Sequence, residues 1–327
     1  MCLSEAKGMD INMKYIGQFH DGMHISDVYL CKKKQIALTK NGKEYGALTL
    51  QDKTGTVDAK IWDLGSPGVG NFETLDYVYI DGDITVFQGA NQVNVRRIRR
   101  ADEREYTESD YLPVSSRDVK AMYQELRALI ESMKNPYLKK LASSYYVEDS
   151  DFVRRFCFHS AAKSVHHGFV GGLLEHTLSV MKLCDYFAAV YPRLNRDLLL
   201  TGALFHDIGK TRELSAFPEN DYTDDGQLLG HIIIGTEMVS ERIREIPRFP
   251  EKLAAELKHC ILAHHGELEY GSPKKPALFE AVALSLADNA DAKLETMNEI
   301  IAGAGDNNGW LGYNRLLESN VRKTTEF

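Results

Sequence analysis

The chain has 327 residues, of which 43% are hydrophobic and 26% charged, with a formal net charge of −8. That composition is ordinary for a soluble globular protein of two or three domains. The acidity argues against a general nucleic-acid binder. No run of about 18 apolar residues exists to span a membrane, so no membrane association is expected. The opening stretch, MCLSEAKGMDINMKYIGQFHDG, lacks the apolar core of a secretory signal. Cysteines 2, 31, 157, 184 and 260 are few, odd in number and scattered, with no CxxC pair. This excludes a disulfide scaffold and a zinc ribbon, and it fits a reducing cytoplasm.

Charge is unevenly spread. Residues 25–105 hold 12 Lys+Arg and 12 Asp+Glu, whereas residues 106–327 carry a net −7. The positive charge of the first region lies in two clusters, Lys32–Lys34 and Arg96, Arg97, Arg99 and Arg100. After an N-terminal segment over 1–24, residues 25–100 read as about five strands. SDVYLCKKKQIALTK, EYGALTLQD, TVDAKIWD, DYVYIDGDITVF and NQVNVRRIRR are rich in β-branched and aromatic residues, and turn signals separate them. Five short strands in that length predict a small barrel of the OB type. Residues 101–116, ADEREYTESDYLPVSS, are polar and read as a linker.

From Arg117 the period becomes helical, and 117–327 is expected to be all-helical. VKAMYQELRALIESM puts Val119, Met122, Leu126, Leu129, Ile130 and Met133 on one face. Further helices are predicted over about 136–147, 171–191, 195–208, 231–245, 249–264 and 276–300. The tail places Trp310, Leu311, Tyr313, Leu316 and Leu317 at helical spacing. Such a stripe suits docking on its own domain or on a partner subunit, leaving a homo-oligomer open.

Nine of the eleven histidines lie between 159 and 265. His176 in GGLLEHTLSV, His206-Asp207 in LFHDIGK, His231 in LLGHIIIG, His264-His265 in ILAHHGE and Asp288 in SLADNADAK each sit in or beside an apolar helical segment. A lone histidine there is ordinarily a hydrogen-bonded core residue. Five such positions in one bundle point instead to a metal site built from facing helices. Imidazole and carboxylate donors suit Mn, Fe, Co, Ni or Zn, with Mg also open. His206 and Asp207, about 100° apart on a helix, need not share one contact. Gly209 is expected to end that helix and leave Lys210 facing outward, or satisfying the helix dipole.

The pattern His176, His206-Asp207, Asp288 resembles the HD superfamily of metal-dependent phosphohydrolases. With His231 and His264 inserted it resembles the subgroup that holds two metals. GGLLEHTLSV, ALFHDIGK, GHIIIG, AHHG and LADNADA behind a small β-barrel resemble the YhaM family of 3′→5′ exoribonucleases over roughly residues 25–320. The resemblance implies a first metal on His176, His206, Asp207 and Asp288. It implies a second on Asp207, His231 and His264, with manganese the preferred ion. His264 and His265 are interchangeable at this stage; the one that is not a ligand would contact substrate or support the ligand. Lys210 would contact a substrate phosphate.

His166, His167 and Lys163, before the His176 helix, are further substrate-contact candidates. All three are equally ordinary as loop residues. Asp291, three residues after Asp288 on the same helix face, is expected to orient a ligand histidine. On the barrel, Lys33, Arg97, Trp62, Tyr29 and Phe87 are candidates for a basic groove with stacking aromatics. The implied reaction is hydrolysis of single-stranded RNA, or single-stranded DNA, from its 3′ end to 5′-mononucleotides by a two-metal-activated water. The enzymatic rival is an HD phosphohydrolase of nucleotides or cyclic dinucleotides with a regulatory barrel. The rival of another class is a non-catalytic single-strand binder.

Overall fold

The computed structural model describes residues 13–163, 167–305 and 307–325. The chain divides into two compact units between Pro113 and Val114. In the first, strands β1 (His24–Leu38), β2 (Glu44–Asp52), β3 (Gly55–Ile61), β4 (Tyr77–Phe87) and β5 (Ala90–Arg100) close into a barrel of order β1-β2-β3-β5-β4. Every pairing is antiparallel except β3 with β5. A closed five-stranded Greek-key barrel is the OB architecture expected from the strand pattern. Bulges at Cys31/Lys33 and Asp81/Gly82 supply the bends that closure requires. Alternate residues Leu48 and Leu50 of β2, and Val57, Ala59 and Ile61 of β3, fill the interior.

The barrel recruits chain on both sides of its strands. Ile16 and Phe19 join its core, and the Asp52 carboxylate accepts the Ile16 N–H at 2.6 Å. On the other side Tyr106 stacks on Tyr77 with ring centroids 3.9 Å apart. Gln51 Nε2 donates to the Tyr111 carbonyl at 3.0 Å. The stretch read as a linker over 101–116 is thus packed on the barrel as far as Pro113. Its tyrosines bury apolar area that its polar composition hides. Tyr29, expected as an exposed stacking residue, is fully buried, and its hydroxyl donates to the Lys14 carbonyl at 2.7 Å.

The second unit holds α1 (Val119–Glu131), α2 (Pro136–Tyr146), α3 (Ser150–Phe158), α4 (Gly172–Val190), α5 (Arg196–Phe205), α6 (Lys210–Glu213), α7 (Asp224–Leu228), α8 (Gly230–Glu245), α9 (Glu251–Leu262) and α10 (Phe279–Gly303). Asp118, Asn135, Asp149 and Asn195 cap α1, α2, α3 and α5 by accepting backbone N–H groups. Leu126, Leu138, Tyr146, Phe156, Leu178 and Phe205 belong to one continuous core. Helices α4, α5, α8, α9 and α10 pack around it and bring their chemistry-bearing residues to one place. Among the described residues no helix is long and apolar enough to cross a membrane.

The tail departs from the expected helix. Trp310–Asn314 (β6) and Ser319–Arg322 (β7) form an antiparallel hairpin. Asn314 Oδ1 accepts the N–H groups of Leu316 and Leu317 at 2.9 and 3.1 Å, so the side chain builds the turn in place of a helical carbonyl. Gly312, at φ 96°, occupies a conformation a helix excludes.

Candidate metal centre

Asp207 lies in the turn over residues 206–209 that follows α5, buried among four helices. Its two carboxylate oxygens face different sets of side chains. Oδ2 is 3.4 Å from Nε2 of His176 on α4 and 3.4 Å from Nε2 of His206. Those two nitrogens are 3.1 Å apart, and His176 Nε2 is 3.2 Å from Oδ1 of Asp288 on α10. Oδ1 of Asp207 is 3.4 Å from Nε2 of His231 on α8 and 3.8 Å from Nε2 of His264 just past α9. His265 joins the second set: ligand atoms of His231, His264 and His265 lie within 4.8 Å of one another.

The sequence creates this turn through backbone proximity. Helix α5 stops at Phe205, and Gly209 precedes α6 instead of ending a longer helix. A Cβ on Gly209 would sit 2.0 Å from the His231 carbonyl and 2.7 Å from the Gly235 N. Only glycine lets the HD turn lie against α8, and that contact brings His231 to Asp207. Lys210 therefore does not stand free. Its Nζ is 2.7 Å from Asp207 Oδ2.

Hydrogen bonds at the far ring nitrogens fix the tautomers. His206 Nδ1 donates to the Ala203 carbonyl and His264 Nδ1 to the Ile261 carbonyl, both at 2.7 Å. His265 Nδ1 donates to the Tyr270 carbonyl at 2.8 Å. A carbonyl only accepts, so each Nδ1 carries the proton and each Nε2 presents a lone pair. His231 Nδ1 is held by Glu213 Oε1 at 3.0 Å, which leaves its Nε2 an acceptor as well. Asp207 Oδ1, His231 Nε2 and His264 Nε2 are buried and have no hydrogen-bond partner. Three acceptors turned toward one another without a donor are costly in a dry interior. A cation satisfies all three. Ligands about 2.0–2.2 Å from a common ion stand roughly 3–3.5 Å apart, close to the separations here.

Charge is distributed to match. Burial opposes ionisation of Asp207, but the Lys210 ammonium and the His176 hydrogen bond hold its carboxyl well below the usual carboxylate range. Asp288 and Asp291 are held low against burial by His176 and, for Asp291, His167. Burial pushes His264 and His265 down, aided by His206 and His231 respectively, so both rings are neutral ligands. His176 is pushed up despite burial by Asp207, Asp288 and Asp291. Without an ion, the first set thus favours the protonated form of His176.

The weaker expectations separate. Asp291 Oδ2 accepts from His176 Nδ1 at 2.7 Å and from His167 Nε2 at 3.1 Å. His167, expected beside substrate, is buried at 2% exposure against Asp291. His166 lies outside the described residues. Lys163 is exposed and paired with Asp221 at 2.5 Å. Glu213 escaped the sequence reading. In KTREL it looks like one more charge on a solvated turn, yet it is buried with its carboxylate on His231.

On the barrel, Trp62 is 48% exposed and stacks on Tyr45 at 5.2 Å. Lys60 Nζ lies 5.5 Å from the Tyr45 ring centroid, and the Trp62 indole donates to Asn94 Oδ1 at 2.9 Å. Phe87 is 59% exposed at the end of β4. Lys33 is exposed on β1 opposite Thr49, and Arg97 is exposed on β5 opposite Asp81. The neighbouring arginines are largely neutralised: Arg96 pairs with Asp83, Arg99 with Glu105 at 2.6 Å and Arg100 with Asp76 at 3.3 Å.

The HD domain family matches residues 173–293, the span that carries the centre. The chain is 35% identical over 281 residues to the 3′-5′ exoribonuclease YhaM of Bacillus velezensis, covering 86% of this chain and 88% of the relative. It is 34% identical over 281 residues to that of Bacillus subtilis, with the same coverage. It is 36% identical over 277 residues to that of Listeria monocytogenes, covering 84% and 87%. Among solved structures, the second OB-fold domain of replication protein A from Methanococcus maripaludis matches 28% of this chain and 95% of its own, at 15% identity and a TM-score of 0.23. At 34–36% identity over 84–88% of both chains, the chain belongs to the 3′-5′ exoribonuclease YhaM family.

Proposed function

We propose that this chain is a metal-dependent 3′→5′ exoribonuclease that shortens single-stranded RNA to 5′-mononucleotides in the cytoplasm, using two divalent ions, preferably manganese. One observation carries the two-ion reading: Asp207 turns one oxygen to His176 and His206 and the other to the partnerless His231 and His264 nitrogens. His176, His206, Asp207 and Asp288 would hold one ion. Asp207, His231, His264 and His265 would hold the other. Bound there, divalent ions supply an activated water near neutral pH and neutralise phosphate charge.

The chain's own residues do the rest. The carbonyls of Ala203, Ile261 and Tyr270 fix the imidazoles with Nε2 inward. Asp291, braced by His167, holds His176 from behind. Lys210, the cation beside Asp207 Oδ2, would meet a non-bridging phosphate oxygen. The barrel offers Trp62 and Tyr45, with Lys60 beside them, for stacking bases. It would hold the RNA while the helical unit cleaves it.

Chelator-treated protein is given end-labelled single-stranded RNA, free nucleotides or a cyclic dinucleotide, each with and without Mn²⁺. The expected outcome is progressive RNA shortening only with the ion, and little turnover of the small substrates. Rapid hydrolysis of the small substrates with intact RNA would favour a nucleotide phosphohydrolase instead.

A further inference from the structure

Glu213 is engaged from several directions at once. Its backbone carbonyl accepts the Thr223 N–H at 2.9 Å, and a Cβ on Gly226 would lie 2.2 Å from that oxygen. Its carboxylate oxygen Oε1 accepts both the backbone N–H of His231 at 2.9 Å and the ring Nδ1–H at 3.0 Å. Glu213 thus fixes the start of α8 and the imidazole that α8 carries with one oxygen. Of the second set, His264 and His265 lean on neutral carbonyls; His231 leans on a carboxylate. A charged acceptor behind a ligand imidazole raises its basicity and holds its tautomer. Glu213 also closes α6, whose first residue is Lys210. Four residues therefore connect the support of His231 to the lysine on Asp207.

We propose that Glu213 is the positioning residue of the second ion: it sets the affinity of the His231 set and leaves the His176 set untouched. This rests on the two-ion reading above. The first set has its own counterpart in Asp291 behind His176, so the two sites are supported by separate carboxylates on separate elements, α6 and α10.

The test is Mn²⁺ titration of the metal-stripped full chain by calorimetry, with free Mn²⁺ followed by electron paramagnetic resonance. Wild type is expected to show two classes of site, and H231A to lose one of them. E213Q should weaken that same class about 10–100-fold and leave the other unchanged. In an H231A background E213Q should have no further effect, because the two residues act as one unit. Circular dichroism of E213Q in chelator should match wild type. Two wild-type classes that both persist at full affinity in E213Q would overturn the role of Glu213 and spare the two-ion reading. Equal weakening of both classes would also overturn it, by showing a general structural effect. A wild type with a single class would sink the two-ion reading and this inference with it.

Discussion

Asp207 is the residue on which the centre depends, because its oxygens are divided between two groups of imidazoles. Asp207→Asn keeps the volume and removes the charge that would attract the two proposed ions. It should abolish RNA hydrolysis while the far-ultraviolet circular dichroism stays that of the wild type; an active Asp207→Asn protein would refute the mechanism. The histidines give a pH prediction with a definite sign. Burial depresses His264, His265 and His159 in the folded chain, whereas unfolded histidines take up protons near pH 6.5. Below that pH the unfolded state binds more protons, so the stability these residues contribute is lost as pH falls. His176 is raised, and its contribution is lost on the alkaline side, as pH rises through its folded value. Acidification of the metal-stripped chain from about pH 6.5 to 5 should therefore lower its urea midpoint; a midpoint that rises would contradict the assignment. An ion entering the His176 set must displace that proton. Calorimetry in buffers of different ionisation enthalpy should accordingly detect proton release on Mn²⁺ binding.

At the scale of elements, glycines decide how closely helices approach. Gly209 has no room for a methyl group against the His231 backbone. Gly209→Ala should cost about 1–3 kcal/mol and weaken metal binding by moving α8 away from the HD turn. Gly303, near the exposed end of α10 with nothing within 4 Å of an added Cβ, is the contrast. There alanine should stabilise by about 0.4–1 kcal/mol. Denaturant titration of both variants checks the pair.

The same elements show what could be read from sequence. That His176, His206, Asp207, His231, His264 and Asp288 converge was legible because charge or imidazole in an apolar helix is anomalous. Glu213 was not, since a glutamate beside Lys210 and Arg212 is unremarkable until the fold buries it. Helix α3 was passed over because nine residues with two central arginines show little more than Phe152 and Phe156 on one face. Tyr29 was misjudged because burial here depends on residues 13–19 folding over the strand, a long-range contact that alternation does not encode. The large residues of the tail recur at three- and four-residue steps, which is a helical period. One Asn-built turn outweighs that spacing.

For the whole molecule, the proposed function assigns binding and cleavage to different units. The chain divides between Pro113 and Val114, and the stretch before that point, expected as a linker, packs on the barrel. Replacing Trp62 by alanine removes a stacking surface contributing about 1–3 kcal/mol per base. It should raise KM for long RNA while kcat at saturating RNA is unchanged; a loss of kcat would contradict this separation. The central claim is tested most directly with 5′-end-labelled single-stranded RNA and metal-stripped protein, sampled over time after Mn²⁺ is added. A labelled ladder that shortens from the 3′ end, with 5′-mononucleotides accumulating and no change in chelator, is the predicted result. Release of the label as a mononucleotide at the first time point, or cleavage that persists in chelator, would contradict it.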